Sequence, residues 1–104
     1  MDNKVPHDSD LENSLLGILI LYPDTYKNIK DYITTDDIFY QEKSKFLWLK
    51  LKSMLYSKEF IDTKTVISCL KDEDRLKGLT HIYIVDCTIA AGVSDSAETY
   101  AKKL

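Results

Sequence analysis

The stretch THIYIVDCTIAAG, residues 80–92, decides the fold class. Its β-branched content favours a strand by propensity, and Ile82, Ile84 and Val85 do not settle the period. A strand needs a partner, and no other segment offers one. The segment is therefore expected to be a helix, capped by Thr80 and stopped at Gly92. With that reading the whole chain is all-α.

The segments on either side agree. Ser9-Asp10-Leu11-Glu12 has the pattern of a capping box, in which Ser9 accepts from the Glu12 N–H and Glu12 reaches back to the Ser9 N–H. Leu11, Leu15, Ile18, Leu19 and Tyr22 then recur at helical spacing, and Leu16, Ile20 and Leu21 make this first helix apolar on most sides, so it is expected to be central. Gly17 in mid-helix costs about 1 kcal/mol relative to Ala; close approach by another helix is the expected compensation. Pro23 ends the helix. Asp24 is read as the cap of a second one carrying Tyr26, Ile29 and Ile33, before a break at residues 34–37 and a short apolar plug, Ile38-Phe39-Tyr40.

A third helix is expected over residues 41–57, the longest in the chain. Leu47, Leu51, Met54 and Leu55 share one face. Phe46, Leu49 and Tyr56 share a second, and two lysine stripes, Lys43 with Lys50 and Lys45 with Lys52, separate them. The second face needs a cover, either a neighbouring helix of the same domain or a partner. Asp62 caps a fourth helix, residues 63–71, with Val66, Ile67 and Leu70 inward. Asp72-Glu73-Asp74-Arg75 reads as a charged, solvated connection. Asp95-Ser96-Ala97-Glu98 repeats the capping-box pattern and opens a helix through Tyr100 and Leu104. The domain is thus a small orthogonal bundle of five to six helices: an extended arm over 1–8, a globular bundle over 9–92, and a last helix beginning at 95.

Composition narrows the function. At 104 residues with 44% hydrophobic and 30% charged content, the chain suits one folded domain with one core. A net charge of −3 and a single arginine, Arg75, do not suit a surface that grips nucleic acid through phosphates. Cys69 and Cys87 have no redox or zinc spacing and read as reduced core residues. His7 and His81 have no ligand-like companions, so no metal is expected. No phosphate-cradling glycine loop is visible, and no nucleophile–base set can be proposed, so no cofactor and no catalytic residue is expected. The N-terminus lacks a signal-peptide core, and the longest apolar run, Ile18 to Tyr22, is too short to span a bilayer. A cytoplasmic, non-enzymatic domain without membrane contact is expected, working through faces for other macromolecules. Seven tyrosines and Trp48 fit such faces and fit a tyrosine-rich core equally well.

The motifs carry a resemblance. Pro6-His7, then Asp10-Leu11-Glu12, then Leu15-Leu16-Gly17 resembles the opening of the N-terminal domain of the DnaB-type replicative DNA helicase. Asp36-Asp37-Ile38-Phe39-Tyr40, the leucines Leu47, Leu51 and Leu55, Ile61-Asp62-Thr63-Lys64-Thr65, Tyr83 and Tyr100-Ala101 continue it in order across nearly the whole chain. Leu11 departs from the family's small residue, Ser44-Lys45 from its usual His with an expected change in a surface contact, and Leu79-Thr80 from a Gly pair at the turn between helices.

The resemblance implies an all-helical domain followed by a long helical hairpin, with 95–104 as the first part of that hairpin. Hairpins pair the domains as dimers, three dimers form a collar on a hexamer, and a DnaG-type primase and a helicase loader act at the collar. ATP and Mg would belong to a separate ATPase domain of the parent helicase, which also engages DNA. On this reading Tyr100 and Leu104 serve self-association, while Phe46, Leu49 and Tyr56 form a partner patch. The alternative is a small helical nucleic-acid-binding module using Lys43, Lys45, Lys50 and Lys52, although two opposed lysine stripes suit solvated flanks better than one groove-facing patch.

Overall fold

The computed structural model describes residues 9–33, 35 and 38–104. Among them the chain forms seven α-helices and no strand: α1 (Ser9–Leu21), α2 (Tyr26–Ile29), α3 (Glu42–Tyr56), α4 (Thr63–Ser68), α5 (Asp72–Leu76), α6 (His81–Ala90) and α7 (Ala97–Lys103). Short 3-10 turns at Pro23–Thr25 and Ser94–Ser96 lead into α2 and α7. The expected arm over residues 1–8, with His7, and most of the break at 34–37 lie outside the described residues. The radius of gyration, 12.9 Å, matches the roughly 13 Å of a compact chain this long.

The ambiguous segment is helical because of what it packs on. The Thr80 hydroxyl accepts from the Tyr83 N–H at 3.2 Å, and Gly92 takes a left-handed φ of +69° just beyond the last turn. Tyr83, Ile84, Cys87 and Ala91 turn inward from α6 and its end. They meet α1, whose Leu15, Leu16, Ile18 and Ile20 are fully buried, as a central helix requires. Gly17 is the contact point. A Cβ built there would lie 1.9 Å from the Cys87 carbonyl oxygen and 3.0 Å from the Ala91 methyl. The absent side chain is what lets the two helices touch backbone to side.

The rest of the core closes around this pair. From α3 come Leu47, Trp48, Leu51 and Met54, all buried. Trp48 stacks at tilted angles between Tyr26 and Phe39, with ring centroids 5.8 Å away on each side. The indole is therefore core, not interface, and Phe39 shows what the apolar plug does. Leu70 and Val66 seal the α4 side, while Leu55 and Ile67 are only half-buried. Both cysteines are free thiols, Cys87 buried and Cys69 half-buried.

Several local readings are corrected. The Ser9–Glu12 box does not form, since α1 already includes Ser9 and the Glu12 carboxylate points into the core. Asp24 does not cap α2; it sits inside the 3-10 turn that Pro23 starts, and no side-chain cap is made. The Asp95–Glu98 box is absent too, because Glu98 is drawn to Tyr32 and Lys102 and Asp95 sits in a 3-10 turn. The Asp62 cap is real: Asp62 Oδ1 accepts from the Thr65 N–H at 2.8 Å and Thr65 Oγ1 from the Asp62 N–H at 2.9 Å. However, α4 ends at Ser68 rather than 71.

The charged connection after it is itself a helix, α5, the element that raises the helix count above six. Asp74 Oδ2 accepts from the Lys71 N–H at 2.9 Å and pairs with Lys50 at 3.0 Å. The backbone donor first, and Lys50 with it, hold the Asp74 carboxyl below its ordinary 3.8. Gly78, at φ +96°, and buried Leu79 then close the turn into α6, so a glycine one position before Leu79-Thr80 supplies the left-handed residue.

At the end of α3 the chain closes in a Schellman turn: the Glu59 N–H donates to the Met54 carbonyl and the Lys58 N–H to Leu55. The left-handed residue there is Lys58, at φ 56°. Left-handed backbone costs an L-residue roughly 1–2 kcal/mol. Lys58→Gly is therefore expected to stabilise the domain by about 0.5–1 kcal/mol, read as a raised urea midpoint at unchanged slope.

Candidate docking surfaces

Where α1, α3 and α6 meet, the core contains a polar cluster. Glu12 is fully buried, and its Oε1 accepts from the Gln41 N–H at 3.1 Å, satisfying a backbone donor just ahead of α3. Its Oε2, like Gln41 Nε2, has no hydrogen-bond partner. Ser44, also fully buried, shares a 2.9 Å hydrogen bond with the Tyr83 hydroxyl, which donates to Asn13 Oδ1 at 3.0 Å. The Ser44 departure therefore changes an interior contact, not a surface one.

Burial pushes the Tyr83 hydroxyl well above its usual value and the Cys87 thiol up to about 12. At that value Cys87 stays a thiol at physiological pH and is not a nucleophile. The cluster joins three helices and offers no activated group. Glu12→Gln, which keeps an acceptor for the Gln41 N–H, is expected to unfold within about 1 kcal/mol of the wild type. Glu12→Ala, which orphans that donor and leaves a void, is expected to cost about 2–3 kcal/mol in a urea titration.

The surface is where apolar groups remain. On α3, Leu49 is 40% and Tyr56 70% exposed, whereas Phe46 packs half-buried beneath the Lys77 ammonium, 4.8 Å from its ring. Phe60, beyond the Schellman turn, is 74% exposed. A groove of about 400 Å³ beside it is lined by Pro23, Asp24, Leu55, Lys58, Glu59 and Ile61 in addition to Phe60.

On α7, Ala97 and Ala101 are buried against the bundle, while Tyr100 and Leu104 are half-buried and packed on the core. Tyr32, in the turn after α2, ties this helix down. Its hydroxyl donates to Glu98 Oε2 at 3.1 Å, and Lys102 lies 5.2 Å from its ring. Lys102 first, then Tyr32, hold Glu98 below the ordinary carboxylate value, and Glu98 raises Lys102 in return.

Of the four lysines in the nucleic-acid alternative, Lys50 is spent on Asp74 and Lys43 lies over the Tyr83 ring at 4.7 Å. His81 is exposed at the start of α6.

Sequence reasoning missed one surface. Ile82, Val85 and Ile89 face outward from α6 at 62%, 36% and 76% exposure, with Val93 just past its end at 64%. Spacings of three and four with no lysine, arginine or glutamate in the segment were the available signal. The strand-or-helix question in the same residues hid it.

These features define a small all-α domain with a sealed core and apolar surface left on α3 and α6. The DnaB-like helicase N-terminal domain family matches residues 4–104, essentially the whole chain, and the protein belongs to that family. It is thus an N-terminal domain of the replicative-helicase type. A comparison with curated proteins gives no match. No helix of the described residues is long and apolar enough to cross a membrane.

Proposed function

We propose that this chain is the assembly and docking domain of a replicative DNA helicase. It supports a hexamer built as a trimer of dimers and receives a DnaG-type primase and a helicase loader during DNA replication. The observation that carries this reading is the family match across residues 4–104, joined to apolar side chains that the fold leaves outside its core. In this reading the domain is non-catalytic and works in the cytoplasm. ATP and Mg serve the parent helicase's ATPase domain, and DNA is engaged through the parent.

Self-association runs through α7, with Tyr100 and Leu104 at its edge. The partner patch is the outer side of α3, where Leu49 and Tyr56 protrude and Phe46 borders them. An exposed aromatic two helical turns from an exposed leucine on the same face gives the patch two separate apolar anchors, and anchors of the aromatic kind concentrate binding energy. The test is calorimetric titration of the chain with the C-terminal region of a DnaG-type primase. Leu49→Asp with Tyr56→Ala is expected to weaken binding at least about tenfold while leaving the melting curve in place. Unchanged affinity would remove the patch from the account.

A further inference from the structure

We propose that the polar cluster in the core is a binding site for one structural water, which bridges Glu12 Oε2 and Gln41 Nε2. Glu12 lies in the first turn of α1, and Gln41 is the residue just ahead of α3. Both atoms are closed off from bulk solvent, and among the described residues neither has a hydrogen-bond partner. A buried polar atom left unsatisfied bears the full penalty of its lost hydration, and native proteins nearly always supply it with a partner. The two orphans belong to one place, because the Gln41 N–H donates to the other oxygen of the same carboxylate at 3.1 Å.

The occupant follows from the chemistry of the pair. The Glu12 carboxylate only accepts, and the Gln41 side-chain nitrogen only donates. A water does both: it gives a proton to Oε2 and accepts one from Nε2, the lower end of the two to four bonds that fix a buried water. A metal or ammonium cation would suit Oε2 but confront the Nε2 protons, and an anion would be repelled by the carboxylate. Nor do the neighbouring hydroxyls serve instead. Tyr83 gives its proton to Asn13 Oδ1, so Ser44 gives its own to the Tyr83 oxygen. Neither has a proton left for Glu12.

With the water in place, one carboxylate holds Gln41 twice, directly through its backbone and indirectly through its side chain. A bridging water is nearly as good as a direct hydrogen bond, so the second tie is a real one. It joins α1 to the start of α3 and fixes a side chain that is otherwise half-exposed. That half-exposure also leaves the site one side chain away from solvent, which gives the water a way in.

High-resolution crystal structures of the intact chain and of Gln41→Met test this. The wild type is expected to show one ordered peak within about 3.2 Å of both Glu12 Oε2 and Gln41 Nε2. Gln41→Met keeps a side chain of similar length without the N–H donor, and the peak is expected to be lost. A wild-type structure with no peak between the two atoms overturns the proposal, whether or not Nε2 has turned to bond Oε2 directly. So does a peak that persists unchanged in Gln41→Met. A peak ringed by several oxygens at about 2.0–2.6 Å overturns it as well, since that is the coordination of a cation.

Discussion

Gly17→Ala is expected to destabilise the domain by about 3 kcal/mol or more, although alanine is the better helix former by about 1 kcal/mol. The two effects oppose each other, and geometry decides between them. The added methyl would lie 1.9 Å from the Cys87 carbonyl oxygen and 2.6 Å from its carbon, distances no real contact tolerates. The obstacle is backbone, so no rotamer change relieves it; α1 and α6 must separate. Separation loosens the largest contact in the fold, between helices whose facing residues are fully buried. A domain this size has about 5–15 kcal/mol in all. At roughly 4 °C or more per kcal/mol, the circular-dichroism midpoint is expected to fall by about 12 °C or more. A midpoint unchanged or raised would mean that α1 and α6 do not approach as described.

The second large effect is expected at Trp48. Its ring is 1% exposed and fills the space between Tyr26 and Phe39, with Leu47 and Leu51 on the same helix. Trp48→Ala removes the largest fully buried side chain of the described core, and neither ring neighbour can collapse into the void without leaving its own site. Such truncations cost about 3–5 kcal/mol. Trp48→Phe, which keeps a ring there, is expected to cost clearly less. Trp48 is the only tryptophan, so native emission should be blue-shifted and move red on unfolding. A Trp48→Ala loss below about 1 kcal/mol in urea would place the indole outside the core.

The helices themselves were legible because they depend on local pattern. Thr80 and Asp62 cap their helices as their types and spacings predict, and Gly17 in an otherwise strong helix signalled the close crossing. The two capping boxes that failed show where local reading stops. Ser9-to-Glu12 and Asp95-to-Glu98 have the right residues at the right spacing, yet Glu12 bonds a backbone donor 29 positions away and Tyr32 reaches Glu98 across 66. A tertiary partner outbid the local one in each case. The α5 turn was hidden for a related reason: Asp74 closes it with the Lys71 N–H and binds Lys50 on α3. Trp48 and the tyrosines were divided between core and surface by packing alone, which spacing does not reveal. The α6 stripe was written in the sequence but lay inside the segment whose class was in question.

ATP turnover by the purified 104-residue chain, with and without single-stranded DNA, tests most directly whether this domain acts only through association. The expected rate is that of buffer, the same for the wild type and for Gly17→Ala. Turnover that tracks the folded chain and disappears with Gly17→Ala would contradict the account.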